Sequence, residues 1–101
     1  MIGDLHQGSI LKIENIKNPV LVVSKDFFNK SGQVIVCPIL QGSADSPLHI
    51  YVKTEGLQGF VHCEKLKMLD MKIRGYKGIG NINLEDRIDI SDAIQGIFDY
   101  V

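Results

Sequence analysis

The chain has few of the residues that would place it in a specialised class of protein. Its 101 residues include two cysteines, three prolines and no tryptophan, and the formal net charge is −1. Two cysteines are too few for a disulfide framework, and no basic and apolar leader opens the sequence, so we expect a cytoplasmic protein. Lysine, aspartate, asparagine or glycine interrupts each apolar stretch before the roughly 20 residues that a membrane span requires. We therefore expect no membrane span.

Signatures of common catalytic and cofactor sites are also absent. The sequence contains no P-loop, no dinucleotide-binding glycine triplet, no GxSxG elbow and no pair of CxxC motifs. His6, His49 and His62 are too scattered in sequence for a zinc set, and His49 is interpreted as a surface residue on the polar phase of a strand. Cys37 and Cys63 lie in apolar surroundings and are interpreted as unreactive thiols. We expect no metal and no cofactor.

The composition that remains is that of one compact domain, residues 1–101. Apolar residues make up 45% and charged residues 23% of the chain, which is enough for a single modest core. The charge is uneven: residues 53–80 hold six basic and three acidic residues, whereas residues 81–101 hold one basic and five acidic. The middle segment is therefore a candidate phosphate-binding patch, or a set of solvated lysines on strand edges.

Runs of β-branched and alternating residues predict short strands at positions 9–14, 20–23, 33–39 and 48–52. A turn at 25–32 separates two of them, and its Phe27 and Phe28 are predicted to cover the core. After a tight return at 54–59, an extended segment runs from Phe60 to Asp70. In that segment Leu66 and Met68 share one face, opposite Lys65 and Lys67.

The end of the chain changes to a helical period. Apolar residues recur with helical spacing at Ile90, Ala93, Ile94, Ile97, Phe98 and Val101. Asp89 is the predicted N-cap, with acidic residues in the first turn opposing the helix dipole. Short strands followed by one amphipathic helix predict a mainly β (α+β) fold, a small, strongly bent β-barrel with the helix packed across it.

Metal-free cleavage of RNA is one chemistry that the polar residues permit. The 2′-hydroxyl attacks the adjacent phosphorus, so the protein needs a base, an acid and fixed cations facing the phosphorane. Candidates for these parts are His6, Lys17, Lys65, Lys67, Asp70 and Arg74. The alternative interpretation of Lys67 and Asp70 is a surface charge pair beside a turn.

A series of short motifs follows the same order along the chain as in one known family. The motifs are Gly8-Ser9-Ile10, Asn18-Pro19-Val20-Leu21-Val22-Val23-Ser24, Val36-Cys37-Pro38-Ile39, Pro47-Leu48-His49-Ile50, residues 63–74 and Gly80-Asn81-Ile82. In this order the chain resembles the MazF/PemK (Kid) toxins of bacterial toxin-antitoxin systems. The resemblance implies an SH3-like barrel, a homodimer, and a ribosome-independent endoribonuclease that a partly disordered antitoxin holds inactive.

Two positions depart from the family pattern. The family's catalytic arginine before proline is Asn18 here. The family's hydroxyl residue after Cys-Pro-Ile corresponds to Leu40 or Gln41, and the nearest hydroxyl is that of Ser43. An asparagine cannot supply the fixed charge or the bidentate fork of arginine. The resemblance then implies a catalytic set of Lys17, Lys67 and Asp70, and the RNA-binding residues Asn18, Ser43, Lys65 and Arg74.

Three functions remain open at this point. The first is an endoribonuclease with a relocated active site, and the second is a catalytically impaired relative that binds nucleic acid. The third is a protein-targeting relative, because the similar CcdB toxins share the barrel and act on gyrase. The fold alone does not choose among them.

Overall fold

The computed structural model describes residues 5–42 and 46–99. These residues form seven strands, two α-helices and one 3₁₀ helix. The strands are β1 (Ser9–Ile13), β2 (Val20–Val22), β3 (Gln33–Leu40), β4 (His49–Thr54), β5 (Leu57–His62), β6 (Lys67–Asp70) and β7 (Tyr76–Asn81). The helices are α1 (Asp26–Asn29), a 3₁₀ turn (Met71–Ile73) and α2 (Leu84–Phe98). Within the described residues, neither α-helix has the length and apolar character needed to cross a membrane.

The strands form one curled antiparallel sheet. Its order is β4-β5-β3-β2-β1-β7, and β6 pairs with β3 outside this path. The eight-residue strand β3 changes partners along its length: it pairs with β6 from Gln33 to Val36, and with β5 at Ile39 and Leu40. This exchange curls the sheet into a half-barrel. The predicted mainly β barrel with a C-terminal helix is confirmed.

Apolar side chains pack on both faces of the curled sheet because alternate residues of a strand point to opposite faces. On one face Val34 and Val36 of β3 join a cluster that includes Leu11 and Leu69. On the other face the cluster around Leu21, Cys37, Ile39 and Val61 includes Ile82 and Ile90, and α2 covers it. Strand β3 therefore contributes to both cores.

The predicted turn at 25–32 contains the short helix α1, and one of its expected core residues is wrong. Phe27 is 73% exposed, and Asn29 is the residue that is buried there, 1% exposed. The Asn29 Nδ2 group donates to Leu5 O (2.8 Å) and Ser24 O (3.1 Å), and its Oδ1 accepts from Ser24 Oγ (2.5 Å). The local hydrogen bonds of asparagine, rather than an aromatic side chain, hold this segment to the sheet.

Helix α2 begins earlier than predicted. Its N-cap is Asn83, whose Oδ1 accepts a hydrogen bond from Asp86 N at 2.7 Å, so Asp89 lies inside the helix and the predicted cap is wrong. Ile90 is buried, as the apolar stripe predicts. Phe98 at the other end of the stripe is 72% exposed, and Val101 lies outside the described residues.

The extended segment that ends at Asp70 is two strands, β5 and β6, joined by a turn. Leu69 is the buried residue of β6, and it pairs with Val34. Met68 is 55% exposed, so the face that was expected to be apolar points away from the core at this position.

Candidate functional site

A groove of about 360 Å³ lies where β2, β3 and β6 meet the segment between β1 and β2. Its floor is apolar and its rim carries two lysines; the lining residues are Ile16, Val20, Val36, Pro38, Lys65, Leu66, Lys67 and Leu69. We call it the lysine groove. Both lysines are exposed, and an apolar floor beside exposed cations suits a nucleotide, which has flat bases and charged phosphates.

The segment between β1 and β2 places Lys17 and Asn18 next to this groove. Lys12 Nζ donates to the carbonyl oxygens of Ile16 (2.9 Å) and Lys17 (2.8 Å), which folds the segment back over β1. Lys17 is exposed and Asn18 is half-buried. Ile16 lines the lysine groove, so the structure brings Lys17 and Asn18 to the same region as Lys65 and Lys67.

Asn18 lies just before β2 and Leu40 lies at the end of β3, where the two strands begin to pair. Val20 pairs with Pro38, and Ile39 N donates to Pro19 O at 2.9 Å. Continuing this antiparallel register by two residues sets Asn18 opposite Leu40. The two departures from the family pattern are therefore neighbours at one point of the sheet.

Asp70 and Arg74 lie away from the lysine groove. Asp70 pairs with Gln33, three residues along β6 from Lys67, which corresponds to about 10 Å. Its Oδ1 accepts from Lys72 N at 3.0 Å and so caps the 3₁₀ turn. Arg74 follows that turn, and its buried Nε has no hydrogen-bond partner among the described residues. The structure does not bring these two residues to the groove, and Ser43 lies outside the described residues.

A second polar cluster, which the sequence analysis missed, lies on β4, β5 and the turn after β5. His49 pairs with His62 across the two strands, and their rings stack with centroids 3.8 Å apart at an interplanar angle of 25°. His49 Nε2 lies 2.9 Å from Glu64 Oε2. We call these three residues the histidine cluster. Only 11% of the His49 side chain is exposed, so its assignment to the surface is wrong.

The turn chemistry of the sequence contains a signal for this pairing. Thr54 pairs with Leu57 around a two-residue turn, Glu55-Gly56, in which Gly56 has a φ of 89°. A two-residue hairpin fixes the register. His49 and His62 are each five residues from the pair that flanks the turn, so the hairpin makes them partners.

The register also places the histidine cluster on the same face as the lysine groove. Strand β5 pairs with β3 at Ile39–Val61 and Leu40–Phe60, so one further step sets Pro38 opposite His62. Val20, Pro38, His62 and His49 thus form one row across four strands. The row begins at the groove and ends at the histidine cluster.

The pKa of Glu64 in the histidine cluster and the pKa values of the two nearby cysteines are shifted in opposite directions. The hydrogen bond with His49 lowers the pKa of Glu64, with a further contribution from the backbone, so the carboxylate is ionised over a wider range. Burial raises the pKa of Cys37 to about 12 and that of Cys63 to about 11. Both thiols are fully buried, which confirms their interpretation as buried residues.

Comparison with known protein families shows which family the chain belongs to. The family model described as PemK-like, MazF-like toxin of type II toxin-antitoxin systems matches residues 6–98. The chain belongs to this family. Curated proteins give no significant sequence match.

Solved structures of MazF proteins share the fold of this family member. A MazE-MazF structure (Form-I) from Deinococcus radiodurans has 18% identity over 92% of this chain and 94% of that chain, with a TM-score of 0.83. An endoribonuclease in complex with its cognate antitoxin, from a mycobacterial species, has 16% identity over 92% and 93%, with a TM-score of 0.80. The Mycobacterium tuberculosis toxin MazF-mt6 has 17% identity over 93% and 98%, with a TM-score of 0.75.

Proposed function

We propose that this chain is the toxin of a type II toxin-antitoxin pair and that it acts on RNA as a metal-independent endoribonuclease. The observation that carries the proposal is the lysine groove. Lys65 and Lys67 stand on its rim, and the segment with Lys17 and Asn18 borders it. Exposed cations at this position match the phosphate backbone of a single strand, while the apolar floor accepts a base.

In the proposed reaction the 2′-hydroxyl of the RNA gives its proton to solvent water and attacks the adjacent phosphorus. The P–O5′ bond breaks, the 5′-oxygen takes a proton from water, and a 2′,3′-cyclic phosphate remains. Lys17 and Lys67 supply positive charge to the phosphorane, although without the planar fork of an arginine. Lys65, Asn18, Arg74 and Ser43 are proposed to bind flanking nucleotides. Asp70 lies outside the groove, with one oxygen capping the 3₁₀ turn, so its proposed role is to orient the RNA beyond the reacting phosphate.

The test is incubation of the purified protein with a long RNA in the presence of EDTA. We expect cleavage, together with weaker RNA binding and a shallower salt dependence for Lys67→Ala, because fewer phosphate counterions are released. Lys30→Ala is the matched control, an exposed lysine that follows α1 and is absent from the groove lining. Intact RNA at high protein concentration contradicts the nuclease proposal. Equal weakening of RNA binding in Lys67→Ala and Lys30→Ala contradicts the proposal that RNA binds in the lysine groove.

The second candidate function is a relative that binds nucleic acid or a protein target without cutting RNA. The observation in its favour is that Asn18 and Leu40 stand where the family pattern has an arginine and a hydroxyl residue, at adjoining ends of β2 and β3. Asn18→Arg together with Leu40→Thr separates the candidates. If only side chains were lost, the double variant gains cleavage activity. If it folds, binds RNA and still cuts nothing, the chain is a binding protein.

We further propose that the toxin is a homodimer and that an antitoxin is its partner. Large apolar side chains remain exposed on α2 and near β7: Ile73 is 79% exposed, Phe98 72% and Leu84 61%. Burying such a surface against a second copy is favourable. Two of the similar structures are complexes named MazE-MazF or with a cognate antitoxin. Light scattering that gives a monomer at micromolar concentration contradicts the dimer.

A further inference from the structure

The histidine cluster owes its close approach to its place in the β4–β5 hairpin. Cys63 N donates to Leu48 O at 2.9 Å, so Leu48 and Cys63 are a hydrogen-bonded pair. His49 and His62 are the next pair, which is not hydrogen-bonded, and side chains approach most closely in such pairs. One donor atom from each of His49, His62 and Glu64 lies within 4.8 Å of the others.

The hydrogen bond of His62 determines which of its nitrogens carries a proton. His62 Nε2 lies 3.0 Å from Gly42 O, and a carbonyl oxygen only accepts, so Nε2 is the donor. In the neutral ring Nδ1 then presents a lone pair. That atom is buried and has no hydrogen-bond partner among the described residues, and His62 as a whole is only 6% exposed.

A bare, buried lone pair opposite a ring N–H that donates to a backbone carbonyl is the arrangement found in metal-binding histidines. The carbonyl fixes the tautomer and the ring orientation, and the other nitrogen binds the ion. Without a ligand, burying such an acceptor costs free energy that a hydrogen bond or a metal bond would offset.

We propose that His49, His62 and Glu64 form a binding site for Zn²⁺, with His62 binding through Nδ1 and water completing the coordination. Two imidazoles and a carboxylate are a ligand set that Zn²⁺ prefers, with an open fourth position. The ion takes the place of the proton shared by His49 Nε2 and Glu64 Oε2, which lie 2.9 Å apart. The site goes beyond the proposed RNA cleavage, which requires no metal.

Binding requires a small movement within the cluster. Tetrahedral zinc ligands lie roughly 3.3 Å apart, because metal-ligand bonds are about 2.0–2.2 Å long. His49 Nε2 and Glu64 Oε2, now 2.9 Å apart, must therefore separate slightly, and the donor of His62, now within 4.8 Å of both, must move to the same spacing. The ion must also lie in the plane of both rings, and stacked rings share no such point. One ring therefore turns when zinc binds. Gly42 O holds the His62 ring, so His49 is the ring that turns, and Glu64 can follow it because Glu64 lies on an exposed turn.

The thiols of Cys37 and Cys63 are not ligands in this proposal. Both belong to the core on the opposite face of β3 and β5 from the histidine cluster. The site therefore offers only nitrogen and oxygen, which gives it a spectroscopic signature. Co²⁺ bound in place of Zn²⁺ should show d–d absorption without thiolate charge-transfer bands.

The experiment is calorimetric titration of the full-length, chelator-treated protein with Zn²⁺, repeated with Co²⁺ in an absorption spectrometer. We expect one ion per chain in the wild type and at least about tenfold weaker binding in His49→Gln, His62→Gln and Glu64→Gln. His6→Gln is the matched control, since His6 also pairs with a carboxylate, Asp26, at 2.9 Å but on the exposed surface. It should bind Zn²⁺ as the wild type does.

Three outcomes overturn the proposal: no Zn²⁺ binding by the wild type, equal binding by the cluster variants and the control, or thiolate bands in the Co²⁺ spectrum. Glu64 is an exposed residue, so Glu64→Gln keeps the test decisive even where His62→Gln fails to fold. The RNA assay in EDTA is independent of this titration, and each can fail without the other.

Discussion

Asn29 and His62 are both buried polar side chains, and they differ in how completely the protein satisfies them. The amide oxygen of Asn29 accepts a hydrogen bond from the Ser24 hydroxyl, and its NH₂ group donates to the carbonyl oxygens of Leu5 and Ser24. His62 has one nitrogen bonded to Gly42 O, and its Nδ1 has no partner within the described residues. Asn29 ties α1 to the sheet, whereas His62 lies beside His49 and the carboxylate of Glu64.

The difference separates a structural polar residue from a candidate site. If the Asn29 side chain were removed, the groups that it bonds would need water as a replacement partner. Asn29 is only 1% exposed, so water does not reach them. His62 gives the fold one hydrogen bond and a ring stack, and keeps one strong acceptor unused. An unused buried acceptor of this kind costs stability, which is why we treat His62 as a candidate site residue.

The largest expected effect is that of Asn29→Ala. It leaves the carbonyls of Leu5 and Ser24 and the Ser24 hydroxyl without their partner in the interior. We expect a loss of at least about 3 kcal/mol in the free energy of unfolding, because three buried groups lose a partner at about 1–3 kcal/mol each. Urea unfolding followed by circular dichroism measures it.

Ser31→Ala is the control for that measurement. Ser31 lies two residues further on, and its Oγ donates to Phe28 O at 2.9 Å at an exposed site. Water replaces this bond, so we expect a change within about 0.5 kcal/mol. Equal losses in the two variants would show that Asn29 does not hold α1 to the sheet.

A smaller effect is expected for His62→Leu, which has a similar volume. The variant loses the bond to Gly42 O, but Gly42 is exposed and its carbonyl can bind water instead. It also removes the unsatisfied Nδ1 from the interior. These terms oppose each other, and we expect a net change within about 1 kcal/mol. A loss as large as that of Asn29→Ala would make His62 a structural residue of the same kind as Asn29.

The sequence predicts the fold well where apolar period and turn residues agree. The β-branched run that contains Val20–Val22 and the stripe through Ile90 specify a buried strand and an amphipathic helix, and both are present. Strand β7 was missed because its residues Tyr76–Asn81 include two glycines and are mostly exposed, so no apolar alternation marks it. The start of α2 was misplaced because Asn83 competes with Asp89 as a cap, and propensity ranks the two equally.

The candidate site is less accessible from sequence. Lys65 and Lys67 lie near Ile16 only because β6 joins β3 outside the main strand order, and no local pattern encodes that pairing. The positions of Lys17, Lys67 and Asp70 were assigned from a resemblance, and their roles stay predictions. His49 and His62 are different, since the hairpin register could have paired them. The pairing was not predicted because His49 lies on the polar side of the alternating strand pattern, which suggested a surface residue.

The smallest expected effect concerns Glu64 and the acid branch of the stability curve. Its pKa is lowered from the model-compound value of 4.5, chiefly by the hydrogen bond with His49. A carboxyl whose pKa is depressed in the folded state stabilises the protein above its unfolded pKa, and this contribution disappears as the pH falls through the folded pKa. Glu64→Gln cannot ionise. The variant should therefore be slightly less stable than the wild type at pH 6–7, and the two stability curves should converge below about pH 4.5.

Asp26→Asn provides the comparison for this last effect. Hydrogen bonds from His6 and from the backbone of Gln7 lower the pKa of Asp26 as well, but its side chain is 57% exposed, against 37% for Glu64. Solvent screens the more exposed pair more strongly, so Asp26→Asn should change the pH dependence less than Glu64→Gln does. Thermal unfolding between pH 3 and 7 in low salt measures both. An equal or larger change in Asp26→Asn would show that the histidine cluster holds its carboxylate no more tightly than a surface pair does, because partial burial is what should set the two apart.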